Sequence, residues 1–308
     1  MKLFIQGMRR SGTTILFDTL AEDPEFDIYY EPFAAARNPA IGGGSGARQV
    51  DYFEKIRACR AAFQQQYPQT IAEDYLNYGA PRDALLEFEP DLPPPCRGYV
   101  RYMIDQRPHT VIKFTRLYTK VAALAEIEPQ AKFIHLVRDP RAVTASYLFG
   151  KGRRNAREFS TESACFDRTT TRTAWSSFPL SEHILSLPEY RRFAGCEDFF
   201  RVMLIWAFTF RTTRQGGLAA FGQNYRLVRH EDLQRDPAAA IHAIYQFLER
   251  PLPPRVRDWA QANIRPGGEF FAAANPRWRH AIDRLNLAPE MEAAGYPVDA
   301  PSLISAQP

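Results

Sequence analysis

The sequence predicts an α/β fold: one domain of about five strands with helices between them. Two observations carry that expectation. Short apolar runs alternate with longer amphipathic stretches along the whole chain. No linker divides the 308 residues cleanly, so they read as a single domain, 1–308, with insertions. A chain of this length can bury roughly three quarters of its unfolded surface, which is ample for one large core.

Each element follows in order. Leu3-Phe4-Ile5 is a short apolar run and reads as a buried strand. Thr14 to Glu22 places Ile15, Leu16, Phe17 and Leu20 at helical spacing. Asp27-Ile28-Tyr29-Tyr30 is a second strand. Ile41-Gly42-Gly43-Gly44-Ser45-Gly46 belongs to a flexible loop over about 36–48. Residues 50–67 read as a helix, and Pro93-Pro94-Pro95 as a break before a third strand, Thr110 to Phe114. A helix around 117–127 leads to the fourth strand, Lys132 to Val137. Asp139-Pro140 opens the next helix, since Asp caps and Pro suits a first turn. From Lys151 to Pro179 the sequence is polar, basic and aperiodic; with the residues up to about 200 it is expected to form a lid or acceptor pocket. Helical pattern returns over about 181–214. Tyr225 to Arg229 is a fifth strand, Pro237 to Leu248 a helix, and Pro251 to Pro254 starts the C-terminal region.

Composition excludes several classes. A hydrophobic fraction of 45% with 24% charged residues argues against a disordered or fibrous chain. The 39 basic and 35 acidic side chains leave a net charge of +4, which suits an anionic ligand. The basic residues cluster rather than forming a stripe, so no nucleic acid is expected as a partner. Cys59, Cys96, Cys165 and Cys196 are far apart and show no metal-ligand spacing, so free thiols in a reducing compartment are expected. The N-terminus lacks a signal-peptide core. The best apolar run, Phe199 to Phe210, contains Arg201 and is too short to span a bilayer; it reads as a buried helix. A cytoplasmic location follows as the expectation.

Chemistry concentrates first in Gly7-Met8-Arg9-Arg10-Ser11-Gly12-Thr13-Thr14, between the first strand and the first helix. The G-x-x-x-x-G spacing is that of a phosphate-binding loop, whose backbone amides and following helix N-terminus converge on an anion. Thr13 stands where the Walker lysine belongs, and Arg9 and Arg10 bring the positive charge instead. An NTPase also needs a magnesium-binding acid after a later apolar strand. Here that strand ends in Arg138. The pair of departures points to a ligand neutralised by arginines, with no metal. Arg138 sits where open α/β sheets bind ligands, and Ser146 lies about two turns along the next helix; together they suit a second phosphate.

These residues resemble the sulfotransferases that use 3′-phosphoadenylyl sulfate (PAPS), in their bacterial and carbohydrate-type branch. Arg10-Ser11-Gly12-Thr13-Thr14 resembles the phosphosulfate loop, and Arg138-Asp139-Pro140-Arg141-Ala142-Val143 with Ser146 and Tyr147 the 3′-phosphate motif. Arg229-His230-Glu231-Asp232-Leu233 is similar to a tyrosine–glutamate–aspartate–leucine segment of that family. Arg277-Trp278-Arg279 and Ala294-Gly295-Tyr296 resemble its C-terminal features. The resemblance implies a single P-loop-type domain, with a central parallel sheet of about five strands flanked by helices, that binds PAPS, releases PAP and sulfates a hydroxyl of a small molecule, natural product, lipid or carbohydrate. It implies that Arg9, Arg10, Ser11, Gly12, Thr13 and Thr14 hold the 5′-phosphosulfate, and Arg138 and Ser146 the 3′-phosphate. His230 falls where relatives place an adenine-contacting tyrosine. Arg265-Pro266-Gly267 sits where cytosolic members have an arginine–lysine–glycine clamp, with Pro266 departing from that pattern.

By the same resemblance Arg10 and Lys113 are the electrostatic catalytic candidates. Cytosolic members carry a histidine two residues after that lysine; here the position is Thr115. Another branch uses a glutamate just after the second strand, which makes Glu31 the expected general base. His135 reads as a core histidine, while His109 and His183 stay open as bases. Lys151-Gly152-Arg153-Arg154 and Arg157 read as a solvated loop, or as contacts to an acidic acceptor or to the 3′-phosphate. Trp175, Phe178, Phe199 and Phe200 read as pocket or core. Two alternatives compete: a P-loop ATP-dependent kinase, and a non-catalytic nucleotide-binding protein of the same fold.

Overall fold

Lys2–Gln6 (β1), Asp27–Tyr30 (β2), Thr110–Phe114 (β3), Lys132–Val137 (β4) and Tyr225–Arg229 (β5) form one parallel sheet in the order β2-β3-β1-β4-β5. The computed structural model describes residues 1–34, 47–67, 84–149, 166–169, 178–265 and 275–299. Each strand falls where the apolar runs predict it. The runs are continuous rather than alternating because helices cover both faces of the sheet. Phe4, Ile112 and Phe133 point to one face and pack with Tyr99, Leu124 and Phe221. Leu3, Ile5, Val111, Ile134 and Leu136 point to the other and pack with Leu16, Phe17 and Tyr245.

The strand order matters for function. From central β1 the chain builds β2 and β3 on one side, then crosses to build β4 and β5 on the other. The carboxyl end of β1 is therefore a switch point, where the flanking connections diverge and leave a crevice. The loop 7–12 occupies that end and leads into Thr13–Leu20 (α1).

The other helices are Ala47–Gln66 (α2), Pro94–Asp105 (α3), Val121–Ile127 (α4), Pro140–Phe149 (α5), Phe178–Ser186 (α6), Asp198–Phe221 (α7), His230–Arg235 (α8), Pro237–Phe247 (α9), Pro254–Asn263 (α10), Pro276–Leu285 (α11) and Ala288–Ala293 (α12). The apolar run Phe199 to Phe210 lies within α7, which is buried along its first half and packs against β4, β5, α4 and α5. Phe199 and Phe200 belong to this core together with Trp278 and Tyr296.

Three expectations are corrected. The proline triplet does not break the chain but starts α3, because Pro94 and Pro95 occupy a first turn whose N–H groups have no helical partner anyway. The amphipathic face of α3 buries Tyr99, Val100, Met103 and Ile104. The helix expected from 117 begins only at Val121; Leu117 and Tyr118 are buried in the preceding loop instead. The stretch 181–214 is two helices separated by residues 187–197, which hold the short 3-10 helix Arg191–Phe193. Pro188 disfavours helical geometry at Leu187, and Gly195 takes a left-handed φ of 78°.

Residues 35–46, 150–165 and 170–177, with Cys165, Trp175 and the basic 151–157 segment, lie outside the described residues, and so does most of the aperiodic stretch 151–179. Cys59, Cys96 and Cys196 are free thiols. Among the described residues no helix is long and apolar enough to cross a membrane.

His135 is a core residue, 2% exposed, with Nδ1 2.9 Å from the Tyr225 hydroxyl. Burial, reinforced by the charge of Arg214, pushes its pKa down to about 3. Burial and the charge of Arg138 do the same to His230, again to about 3. The unfolded chain binds these protons near pH 6.5 and the native chain does not, so stability falls as pH drops from about 6.5 towards 3. Each histidine is expected to remove about 2 kcal/mol of stability between pH 7 and pH 5. Urea unfolding at the two pH values checks this. Equal midpoints would contradict it, and His135→Asn should reduce the difference.

Candidate active site

The loop after β1 is shaped by two close approaches. A Cβ on Gly7 would run into the Leu136 carbonyl and the Thr13 methyl. A Cβ on Gly12 would run into the His230 imidazole, and Gly12 holds φ at 89° as the cap of α1. Arg10 also takes a left-handed φ, 76°, uncommon for a side chain of that size. The Ser11 amide donates to the Met8 carbonyl at 3.0 Å and closes the turn. The first amides of α1 have no helical acceptor and carry the positive end of the helix dipole towards the sheet edge.

Charge and hydroxyl groups gather around this loop. Arg10 Nε donates to Ser146 Oγ on α5 at 2.8 Å. Arg138, just past β4, donates from Nη1 to the Arg10 carbonyl at 3.3 Å. Arg9 lies 6.0 Å from the centre of the Tyr147 ring. Asp139 accepts from the Arg141 amide at 2.8 Å and so caps α5, as the Asp-Pro pair predicts. Burial holds the Arg138 pKa below its ordinary value, with Glu231 as the leading opposing charge. Among the described residues Ser11 Oγ, Arg138 Nε and His230 Nδ1 are buried without a hydrogen-bond partner. Buried polar atoms are usually satisfied, so three orphans around one basic loop mark a place for a polar ligand. Two of them, the serine hydroxyl and the guanidinium N–H, are donors suited to an anion.

A second group lies one strand away, across β3. Glu31 follows β2 and adopts a left-handed φ of 47°. Its amide donates to the Lys113 carbonyl at 2.9 Å, and its Oε1 accepts from Lys113 Nζ at 2.6 Å. Both side chains are 2% exposed. Burial pulls the Lys113 pKa down, but the charge of Glu31 and the nearby Tyr30 outweigh it and the net shift is upward. Lys113 Nζ lies 4.1 Å from the centre of the Tyr30 ring, and the Tyr30 hydroxyl is 3.1 Å from Thr14 Oγ1. Tyr30 thus connects the Glu31–Lys113 pair to the phosphate-type loop.

The predicted site residues therefore meet at one edge of the sheet, in two linked groups. One pairing differs from expectation. Ser146 Oγ meets Arg10, while Arg138 reaches the Arg10 backbone, so the two arginines and the serine form one chain of contacts. Thr13 packs its methyl group near Gly7 and is 4% exposed. Thr115 is buried, and its hydroxyl has no partner among the described residues. His109 lies at the amino end of β3, bonded to the Met1 amino group and Arg250, at the opposite end of that strand. His183 packs on Phe88 at 3.9 Å between ring centres. The Arg265 carbonyl accepts from Gln234 at 2.9 Å; Pro266 and Gly267 lie outside the described residues.

The link that Tyr30 makes between Lys113 and Thr14, and the buried Arg116–Glu87 ion pair, escaped sequence reasoning. Arg116 Nε donates to Glu87 Oε1 at 2.6 Å. Lys120 fastens the same segment through the carbonyls of Leu86 at 2.8 Å and Glu89 at 2.7 Å, and burial lowers its pKa to about 8. The one local signal was a charged residue two positions past an apolar strand. Among the described residues no group of three or more His, Cys, Asp or Glu side chains is placed to hold a metal ion.

A sequence profile of the sulfotransferase family matches residues 2–186, which include both groups of the site apart from His230. The chain belongs to the sulfotransferase family. It is 31% identical to carbohydrate sulfotransferase 3 of Mus musculus over 181 residues, 54% of this chain and 32% of that protein. It is 25% identical to human carbohydrate sulfotransferase 6 over 203 residues, 61% of this chain and 44% of that protein. The matched region thus spans less than half the length of these curated relatives. The crystal structure of sulfotransferase STF9 from Mycobacterium avium superposes with a TM-score of 0.51 at 14% identity, over 97% of this chain and 78% of that one, a likeness of fold. The five-stranded parallel sheet of this family member is accordingly the P-loop-like fold of sulfotransferases.

Proposed function

We propose that this family member moves a sulfuryl group from PAPS to a hydroxyl of a carbohydrate or other small-molecule acceptor. The observation that carries the proposal is the convergence at one sheet edge of two arginines, a helix N-terminus and orphaned donor groups with a buried glutamate–lysine pair. The residues fit an anion with two phosphate-type ends. Arg10, Ser11, Gly12, Thr13 and Thr14 would hold the phosphosulfate end, and Arg138 with Ser146 the 3′-phosphate. Neutral His230, packed on Gly12, would offer an uncharged ring face to the base. PAPS supplies an activated sulfuryl group whose leaving group is a phosphate.

The chain's own residues would do the rest. Arg10 and Lys113 stabilise the negative charge that grows on the leaving oxygen; neither has to give up a proton. Glu31 takes the proton of the acceptor hydroxyl. Its Oε1 is committed to Lys113, and Oε2 accepts no hydrogen bond among the described residues, so Oε2 is the atom for that task. The names of the relatives support a carbohydrate acceptor.

Calorimetric titration with PAP, ATP and ADP, with and without magnesium, tests the donor class. PAP is expected to bind at least tenfold more tightly than ATP, to the same degree with and without the metal, by roughly the 1.4 kcal/mol that a further phosphate contact readily supplies. Tighter, magnesium-dependent ATP binding would replace the proposal with a kinase.

A further inference from the structure

Among the described residues the Arg138 side chain makes one hydrogen bond, the long 3.3 Å contact to the Arg10 carbonyl. Where its guanidinium sits therefore depends on the backbone that carries it. That backbone is clamped on both sides. The Arg138 carbonyl accepts from Trp206 Nε1 at 2.9 Å. The next amide, that of Asp139, donates to Glu231 Oε1 at 3.0 Å. The other oxygen of Glu231 accepts from the Tyr296 hydroxyl at 2.7 Å. Glu231 is 4% exposed and Tyr296 1%. The turn that carries Tyr296 is tied down twice more: Arg229 Nη1 donates to the Gly295 carbonyl at 2.6 Å, and Arg141 Nη2 to the Pro297 carbonyl at 3.3 Å.

We infer that Tyr296, acting through Glu231, is a positioning residue that aims Arg138 at the bound anion. The inference rests on the anion-holding role of Arg138 proposed above. Its physical basis is the small number of ways to satisfy a buried carboxylate. With the tyrosine hydroxyl in place, Glu231 has one oxygen for Tyr296 and one for the Asp139 amide. Without it, a buried oxygen is left unpaired, and the carboxylate turns towards other donors. The Asp139 amide then loses its acceptor, and Arg138 shifts with it. A misplacement of about 1 Å is enough to cost a large factor in a site that depends on alignment. The segment after α12, more than 150 residues from the motif it serves, thereby becomes part of the anion site.

Tyr296→Phe removes only the hydroxyl and is expected to weaken PAP binding about tenfold by calorimetry, the size of one lost charge-assisted contact. In an Arg138→Ala background the same change should alter PAP affinity by less than about twofold, because residues acting as one unit are not additive. Tyr245→Phe is the control. It deletes another buried tyrosine–carboxylate bond, 2.9 Å to Asp23, and should lower thermal stability without weakening PAP. Glu231→Gln, whose amide can still meet both partners, should keep PAP affinity within about threefold of the wild type. The inference is overturned by a folded Tyr296→Phe that binds PAP normally, by equal losses with and without Arg138, by an equal loss in Tyr245→Phe, or by a tenfold loss in Glu231→Gln. If Arg138→Ala alone leaves PAP affinity unchanged, the proposed anion site has failed and the inference with it. If Arg138→Ala weakens PAP and Tyr296→Phe does not, only the positioning role has failed.

Discussion

Glu31→Gln should lower the rate of sulfuryl transfer by about 10²–10⁴-fold while leaving PAP affinity within about threefold, the range expected when a general base is removed. The substitution is nearly isosteric, and its amide oxygen can still accept from Lys113. It removes the basic oxygen and keeps the shape. Backbone geometry favours a functional role for this residue. A left-handed φ of 47° on a glutamate costs of order 1 kcal/mol and persists only where neighbours over-determine it. Here two bonds do so: Glu31 N to the Lys113 carbonyl at 2.9 Å, and Ala34 N to the Glu31 carbonyl at 2.8 Å. Lys113→Met is the poorer probe, because it would leave a buried carboxylate unpaired and unfold part of the site. Transfer from radiolabelled PAPS to a panel of saccharides provides the rate. An undiminished rate in Glu31→Gln would remove Glu31 from the mechanism.

Arg138→Ala should weaken PAP binding about 100-fold, because the loss of a buried cation facing an anion costs about 3 kcal/mol. Arg138 is 9% exposed, its Nε has no partner among the described residues, and burial already depresses its pKa. Such a cation is stabilised by a bound anion more than a solvated one would be. The loss should persist at high salt, since a buried pair is poorly screened. Calorimetry at low and high ionic strength measures it. An Arg138→Ala protein with wild-type affinity would show that the anion sits elsewhere.

The strands and the motif residues were legible because both are local. Leu3-Phe4-Ile5 and Thr110 to Phe114 are apolar runs of strand length, and the residues that follow them lie at strand ends wherever the strands pack. Asp139-Pro140 announced its helix by capping chemistry alone. Local rules misread Pro93-Pro94-Pro95, because a proline run can end one element or begin another. Only the apolar face of Tyr99, Val100, Met103 and Ile104, docked on Phe63 and Leu124, decides between the two. The 181–214 stretch was misread for the opposite reason: its apolar period continues through Pro188 and Gly195, where the backbone cannot.

By itself, then, the sequence determined the α/β class and the five strands, and with them the strand-end positions of Glu31, Lys113, Arg138 and His230. These depend on neighbours a few positions apart. The tertiary structure alone decided who meets whom. Glu31 bonds Lys113 across 82 residues, Arg10 bonds Ser146 across 136, and Glu231 bonds Tyr296 across 65. No spacing rule reaches that far. The pairings follow from the order β2-β3-β1-β4-β5, which sets β2 against β3 and β1 against β4, and from the burial that makes each polar group find a partner.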